Sequence, residues 1–187
     1  MEKITRFPKK VKYRRPLTAS EWFQKGLSFE NARGHEQDIA RCFREATLLD
    51  PKFFMAWLKL GIIEQNHYRW ENASMKYLEA VKLRPAHSEA NFRLAQVFEN
   101  LGDIVLAIKY SRKAIETSGT YWEARSLLAN LLYRLGGRHR FVEALTHLNL
   151  VISDGSSHVL RREALILSAE IRQSITTRLL LVSSTIQ

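Results

Sequence analysis

Residues 54–85 have the sequence FMAWLKLGIIEQNHYRWENASMKYLEAVKLRP, which contains two amphipathic segments separated by a polar stretch. Small and apolar residues recur at helical spacing in both segments. These positions are Trp57, Leu60 and Gly61 in the first segment and Ala73, Tyr77 and Ala80 in the second. Pro85 cannot continue a helix, so it ends the second one. The stretch therefore predicts two helices joined by a turn.

The same pattern recurs along the chain at a constant period. The recurring positions are Ala46, Ala80 and Ala114, then Phe43 and Tyr77, and then Pro51 and Pro85. A period of about 20 to 50 residues indicates an array of stacked units. We predict four helix pairs within residues 19–158, of which the first covers about 19–52, the third about 88–121 and the fourth about 122–158.

These residues resemble the tetratricopeptide repeat (TPR), a helix–turn–helix unit of about 34 residues. The resemblance implies an all-α, right-handed α-solenoid of about four repeats. It also implies that the first helices of successive repeats line a concave groove, which in this family binds an extended or helical peptide. The groove positions that match the family pattern are Phe23, Leu27, Met55, Leu58, Ile62, Phe92, Gln96, Ser126 and Asn130.

The predicted groove is apolar in its first two units and polar in its last two. This gradient suits an amphipathic partner segment. An alternative left open is that the N-terminal arm or a neighbouring helix of the same chain fills the apolar half. The chaperone-tail binding of one TPR subclass is disfavoured, because Phe23 and Leu27 replace hydrogen-bond donors and Glu89 adds negative charge against a carboxylate.

Residues 1–18 are predicted to form a basic arm. The chain has a formal net charge of +10, and more than half of this excess lies in residues 1–15. The arm has four open interpretations: a nuclear-import signal, a phosphate-binding segment, an anchor for an acidic protein surface, and a solvated tail. Its basic residues are Lys9, Lys10, Lys12, Arg14 and Arg15, and a second patch in the fourth unit's expanded loop consists of Arg134, Arg138 and Arg140.

Residues 159–187 are predicted to form a capping helix followed by a tail. Apolar residues recur from Val159 to about Ile175, as expected for a helix that covers the last unit. The residues after Thr176 have no clear period, so we expect them to fray.

The residues that carry chemistry form no pattern typical of an enzyme. The histidines fall mostly in predicted loops and lack metal-ligand spacing, and His147 alone lies within a predicted helix. Cys42 is the single cysteine, and we interpret it as a buried, inert thiol. No apolar run approaches the roughly 18–20 residues of a membrane-spanning helix. We therefore expect a non-enzymatic protein with no cofactor, no metal, no small-molecule substrate and no membrane insertion.

Together these features predict a protein–protein interaction adaptor, or an assembly subunit of a larger complex, held by its groove and its arm. The alternative is an RNA- or ribosome-associated component bound through the arm and the Arg138–Arg140 loop. Tyr13 is the single aromatic residue near the centre of the arm, which favours a protein partner over single-stranded nucleic acid. We expect the protein in the cytoplasm, with the nucleus or an organelle reached through the basic N-terminus as alternatives.

Overall fold

The computed structural model describes residues 15–31, 35–154 and 157–184. Regular secondary structure within those ranges consists of α-helices, which confirms the all-α prediction. The helices are α1 (Ala19–Asn31), α2 (Glu36–Leu49), α3 (Phe54–Asn66), α4 (Trp70–Leu83), α5 (Ser88–Asn100), α6 (Ile104–Thr117), α7 (Trp122–Leu135), α8 (Arg138–Asp154) and α9 (His158–Ser184). The chain divides into two units, Met1–Pro51 and Lys52–Gln187.

The first unit is a helix pair in which α1 and α2 meet at Gly26. A Cβ atom at this position would stand 2.6 Å from Cε1 of Phe43, whose side chain is fully buried. The ring centroids of Phe23 and Phe43 lie 5.3 Å apart. A capping box starts α1, because the Thr18 N–H donates to the Glu21 carboxylate at 2.9 Å and the Glu21 N–H donates to Thr18 Oγ1 at 3.3 Å.

The second unit contains three further helix pairs with the same close contact between their helices. A Cβ atom at Gly61 would stand 2.5 Å from Cδ1 of Tyr77, and the Tyr77 side chain is fully buried. Ala95 and Ala129 occupy the position of Gly61 in the next two pairs and are also fully buried. Small side chains at this position let the helices of each pair approach closely, as the sequence pattern predicted.

Two hydrophobic clusters stabilise the second unit, and each joins a helix pair to the helix that follows it. Tyr77 and Leu94 belong to the cluster formed by α3, α4 and α5. Leu128, Leu148 and Ile171 belong to the cluster formed by α7, α8 and α9. Complete burial of one leucine side chain contributes about 1.5–3 kcal/mol. The ninth helix therefore covers the fourth pair in the way that α5 covers the second.

The connection within the fourth pair differs from the sequence prediction of an expanded loop. Helix α8 is 17 residues long, whereas α4 and α6 each have 14. The three inserted residues lengthen the helix by about 4.5 Å. Gly136 and Gly137, with φ angles of +69° and +98°, make the whole connection from α7. Arg138 and Arg140 therefore lie in the first turn of α8 and not in a loop.

The C-terminal segment also differs from its prediction. Helix α9 extends over 27 residues to Ser184, whereas the apolar pattern predicted a helix to about Ile175 and a frayed tail. No glycine or proline occurs between residues 157 and 187, so nothing in the sequence stops the helix where its apolar period is lost. The prediction of a frayed segment after Thr176 is therefore wrong as far as Ser184.

Candidate functional site

The first helices of the second unit are linked to one another by polar contacts near their C-terminal ends. Gln65, Glu99 and Tyr133 occupy one position of the repeat in successive pairs, and each reaches the next first helix. The three contacts are Gln65 Nε2 to Gln96 Oε1 at 3.5 Å, Arg134 Nη1 to Glu99 Oε1 at 2.9 Å, and Tyr133 Oη to Ser174 Oγ of α9 at 3.1 Å. These contacts place α3, α5, α7 and α9 side by side.

We use the term first-helix face for the partly exposed side chains that α3, α5 and α7 share. Its members are Met55, Ile62, Gln65, Glu89, Phe92, Gln96, Ser126 and Asn130. Met55 is 38% exposed. The others are half-buried, so each keeps a part of its surface in contact with solvent.

Leu58 does not offer the surface that the groove prediction required. Its side chain is 3% exposed and lies in the same cluster as Tyr77 and Leu94. The helix of the following pair covers it, which the position of Leu58 within its own repeat could not reveal. In the first unit, Phe23 is 7% exposed and packs against Phe43, whereas Leu27 is half-buried.

A hydrogen-bonded polar group lies beneath the first-helix face. The Tyr77 hydroxyl donates to Gln65 Oε1 at 2.6 Å, and Arg93 Nε donates to Glu89 Oε1 at 2.9 Å. Burial raises the pKa of Tyr77 far above its ordinary value, while the neighbouring Arg93 acts in the opposite direction. The phenol therefore stays protonated, and it holds the Gln65 amide in the orientation from which it reaches Gln96.

Sequence reasoning did not identify Gln65 and Arg93 as members of the site. A signal for Gln65 was present, because Gln65, Glu99 and Tyr133 occupy one position of the repeat and all carry a polar group. No repeat pattern indicates Arg93, because its environment depends on Tyr77, a buried residue of the preceding helix.

The N-terminal end of the face combines an aromatic pair with acidic side chains. The rings of Phe92 and Tyr121 meet edge to face at 84°, with centroids 5.0 Å apart. Burial raises the pKa of Tyr121 to about 12, and the charges of Glu89 and Glu123 act in the same direction. The Tyr121 phenol is therefore neutral at physiological pH. Arg93 offsets the charge of Glu89 through their ion pair, so Glu123 is the glutamate whose charge disfavours a carboxylate ligand at this end of the face.

The predicted second basic patch lies at the junction of α7 and α8. Arg134 lies in the last turn of α7 and pairs with Glu99. Arg138 and Arg140 follow the two-glycine connection and lie in the first turn of α8. Arg140 Nη1 donates to the carbonyl oxygen of Gly136 at 3.1 Å. The junction therefore carries three guanidinium groups, one of them paired with a carboxylate.

The basic arm enters the described structure at Arg15. Its guanidinium makes two hydrogen bonds to the Glu21 carboxylate, at 2.9 Å and 2.5 Å. These bonds and those from Thr18 lower the pKa of Glu21 to about 2. The last charge of the arm is thus paired at the start of α1. The other predicted arm residues, Lys9, Lys10, Lys12 and Arg14, lie outside the described residues.

Burial shifts the pKa values of Cys42 and His147. Burial raises the pKa of the Cys42 thiol, which keeps it in its unreactive protonated form. Burial and the charge of Arg125 lower the pKa of His147, whose Nδ1 lies 3.2 Å from Arg125 Nη1. His139 and His158 lie in α8 and α9, which corrects the prediction that they occupy loops.

Across residues 15–31, 35–154 and 157–184, no group of three or more His, Cys, Asp or Glu side chains is placed to hold a metal ion. Of the helices in those same ranges, none combines the length and the apolar character needed to cross a membrane.

The paired helices and their small residues at the crossing points define the class: this is a protein with the TPR fold. The chain is similar to YrrB, a TPR protein with an unusual peptide-binding site, at a TM-score of 0.74 and 18% identity, over 86% of this chain and 79% of YrrB. For PilF of Pseudomonas aeruginosa the TM-score is 0.72 at 19% identity, over 88% of this chain and 72% of PilF. MamA of Desulfovibrio magneticus RS-1 has a TM-score of 0.62 at 19% identity, over 72% of this chain and 73% of the MamA chain. The TPR resemblance predicted from the sequence is confirmed for the fold.

Similarity in sequence is more limited. No protein-family model matches the chain. Protein bimA of Emericella nidulans is 28% identical over 98 residues, which is 52% of this chain. The matched segment is 12% of bimA, so the chain spans a small part of the length of that protein.

Proposed function

We propose that this protein is a non-enzymatic adaptor, or an assembly subunit of a larger complex, that holds a peptide or helix of a partner protein on its first-helix face. The observation that carries the proposal is the combination of apolar and polar groups on that face. Met55, Ile62 and Phe92 supply partly exposed apolar surface, and Gln65 and Gln96 supply side-chain amides beside it. An amphipathic partner segment uses both kinds of contact.

The amide of Gln96 is suited to a peptide backbone. Its oxygen accepts from Gln65 at 3.5 Å, and its own N–H groups have no acceptor among the residues that the structure describes. A side-chain amide carries the same donor and acceptor groups as a peptide bond. A backbone carbonyl of an extended partner segment therefore satisfies Gln96, while an adjacent apolar side chain contacts Phe92.

The basic arm serves as a second anchor in this proposal. Arg15 is paired with Glu21, which fixes the start of α1 and leaves the preceding positive charges to contact an acidic surface of the same partner. Two weak contacts on one partner reinforce each other through effective concentration.

Matched methionine variants test the first-helix face. Met55 on α3 is 38% exposed, and Met75 on α4 is 52% exposed and lies on a second helix. Affinity purification of the full-length protein from its native source should lose its partners with Met55→Glu, and more completely with Met55→Glu and Ile62→Glu together. Met75→Glu should retain them. Circular dichroism of all variants should match the parent. Equal capture by the Met55 and Met75 variants would contradict the proposal.

The same purification distinguishes a protein partner from RNA. We expect the partners to survive nuclease treatment and to be weakened, but not abolished, by removal of residues 1–16. Partners that disappear both with nuclease and with the arm would identify a ribonucleoprotein component, and the adaptor proposal would then be wrong.

A further inference from the structure

A cavity of about 670 Å³ opens between the C-terminal halves of α7 and α9 and reaches the start of α8. Tyr133, Leu135 and Phe141 give it apolar walls, and Arg134 and Arg178 bring positive charge to it. Leu135 is 41% exposed, so the cavity has an accessible apolar edge. The sequence predicted the charge of Arg134 at this junction but nothing of the cavity or of Arg178.

Arg178 is held in place without neutralisation of its charge. Its Cζ atom lies over the Phe141 ring, 5.1 Å from the centroid. No carboxylate pairs with Arg178 among the residues for which the structure describes side chains. This contact with the ring leaves N–H donors of the guanidinium available to a ligand. Arg178 is thus a positioned and unpaired cation at the edge of an apolar cavity.

A second guanidinium group, that of Arg140, lies at the same α7–α8 connection as Arg178. A Cβ atom at Gly136 would lie 3.9 Å from Arg178 Nη2, and a Cβ atom at Gly137 would lie 3.5 Å from Arg140 Nη1. Both residues have positive φ angles, which glycine adopts readily. The guanidinium groups of Arg178 and Arg140 therefore lie near adjacent residues of one short connection.

The charge around the α7–α8 junction is predominantly positive. Arg134 and Arg178 line the cavity, and Arg138 and Arg140 lie in the adjoining first turn of α8. The carboxylates near these arginines are themselves paired, Glu99 with Arg134 at 2.9 Å and Glu143 with Arg112 at 2.6 Å. Arginine is the side chain best suited to binding carboxylates, because its fork matches their two oxygens.

We propose that this junction binds an acidic segment of a partner protein. Carboxylates of the segment pair with Arg178 and Arg140, and an apolar side chain beside them enters the cavity against Tyr133 and Leu135. A protein segment fits better than RNA because single-stranded RNA binding usually uses several aromatic rings on which successive bases stack. Of the two aromatic rings in the described lining, Phe141 is 2% exposed and lies beneath Arg178, which leaves Tyr133 alone. None of the residues that line this cavity is among the members of the first-helix face defined above, and the proposal does not depend on the function proposed for that face.

Fluorescence anisotropy with a labelled peptide Glu-Glu-Leu-Glu-Glu tests the proposal on the full-length chain. We expect salt-sensitive binding that weakens about tenfold in Arg178→Gln, since the variant loses a charge-assisted hydrogen-bonding group. The matched control is Arg172→Gln, which removes the same charge from an exposed position of the same helix and should change the affinity less than about twofold. The basic arm is present in all three proteins, so its attraction for the peptide cancels in the comparison. Replacing the leucine of the peptide with serine should weaken binding to the parent.

Three results would overturn the proposal. The first is a peptide affinity too weak to detect, and the second is equal weakening by the two arginine variants. The third is oligouridylate binding that Arg178→Gln abolishes while peptide binding is unchanged, which would assign the junction to RNA.

Discussion

Replacing Gly61 with alanine tests how closely α3 and α4 approach. The added Cβ atom would stand 2.5 Å from Cδ1 of Tyr77, well inside the separation of about 3.5–4.0 Å at which two carbon atoms attract each other. The ring cannot move aside easily, because it is fully buried and its hydroxyl is hydrogen bonded to Gln65 at 2.6 Å. The alanine therefore either separates the helices or forces Tyr77 from its rotamer.

Two opposing effects set the magnitude for Gly61→Ala. Extra atoms in a well-packed core cost about 1–3 kcal/mol. Alanine is more favourable than glycine inside a helix by about 1 kcal/mol. Because the contact with Tyr77 is too short to be tolerated without movement, we place the packing cost in the upper part of its range. The free energy of unfolding of the second unit should then fall by about 1–2 kcal/mol.

Urea unfolding followed by circular dichroism measures this change in four proteins: the parent, Gly61→Ala, Tyr77→Val and the double variant. Valine has no δ or ε carbon, so in the Tyr77→Val background the obstructing ring atoms are absent and the added alanine should be neutral or stabilise by up to about 1 kcal/mol. An unfolding midpoint for Gly61→Ala at or above that of the parent would refute the packing argument. An equal loss with and without the tyrosine ring would refute it as well.

Two further predictions concern the helix-pair core and the start of α1. Ala80→Arg should destabilise the second unit by more than about 3 kcal/mol, since Ala80 is fully buried and a charge there has no partner; a thermal melt identical to that of the parent would contradict the placement. The pKa of Glu21 is lowered to about 2 from an ordinary value of 4.5. The ion pair of Glu21 with Arg15 therefore stabilises the folded state fully above pH 4.5. This stabilisation is lost as the pH falls through 2. In Arg15→Gln the Glu21 titration followed by NMR should move up toward 4.5, and an unchanged midpoint would show that Arg15 is not the cause.

The helix pairs were predictable because the residues that set their spacing are close in sequence and chemically distinctive. Gly61 and Tyr77 lie in consecutive helices, and the contact between them is the reason for both residue types. The same pairing in the first unit, Gly26 with Phe43, follows from the same requirement. A regular spacing of small and aromatic residues therefore predicts where two helices pack closely together.

The details of the candidate sites could not be predicted as well from the sequence, because they depend on contacts between repeats. Leu58 is buried in a cluster that includes residues of α5, the first helix of the next pair. The repeat pattern does not predict how much of Leu58 that cluster leaves exposed. Arg178 lies over the ring of Phe141, at the start of the preceding helix and far from it in sequence, and no local pattern joins the two. The Gly136–Gly137 pair suggested a long loop, but a three-residue insertion is nearly one helical turn, so α8 absorbs it while keeping its buried side.

The order of the helix contacts in the second unit has a consequence for how this part of the chain folds. Its main contacts join each helix to the next along the chain, and among the helix pairs that skip one helix α7 and α9 have the most extensive contact. Contacts between segments so close in sequence require little loop closure, which favours rapid folding. In such an array each repeat is stabilised mainly by its contacts with the adjacent repeats. Amide hydrogen exchange in a Gly61→Ala protein should therefore accelerate most in α3 and α4, less in α5, and least in the helices around Ile171.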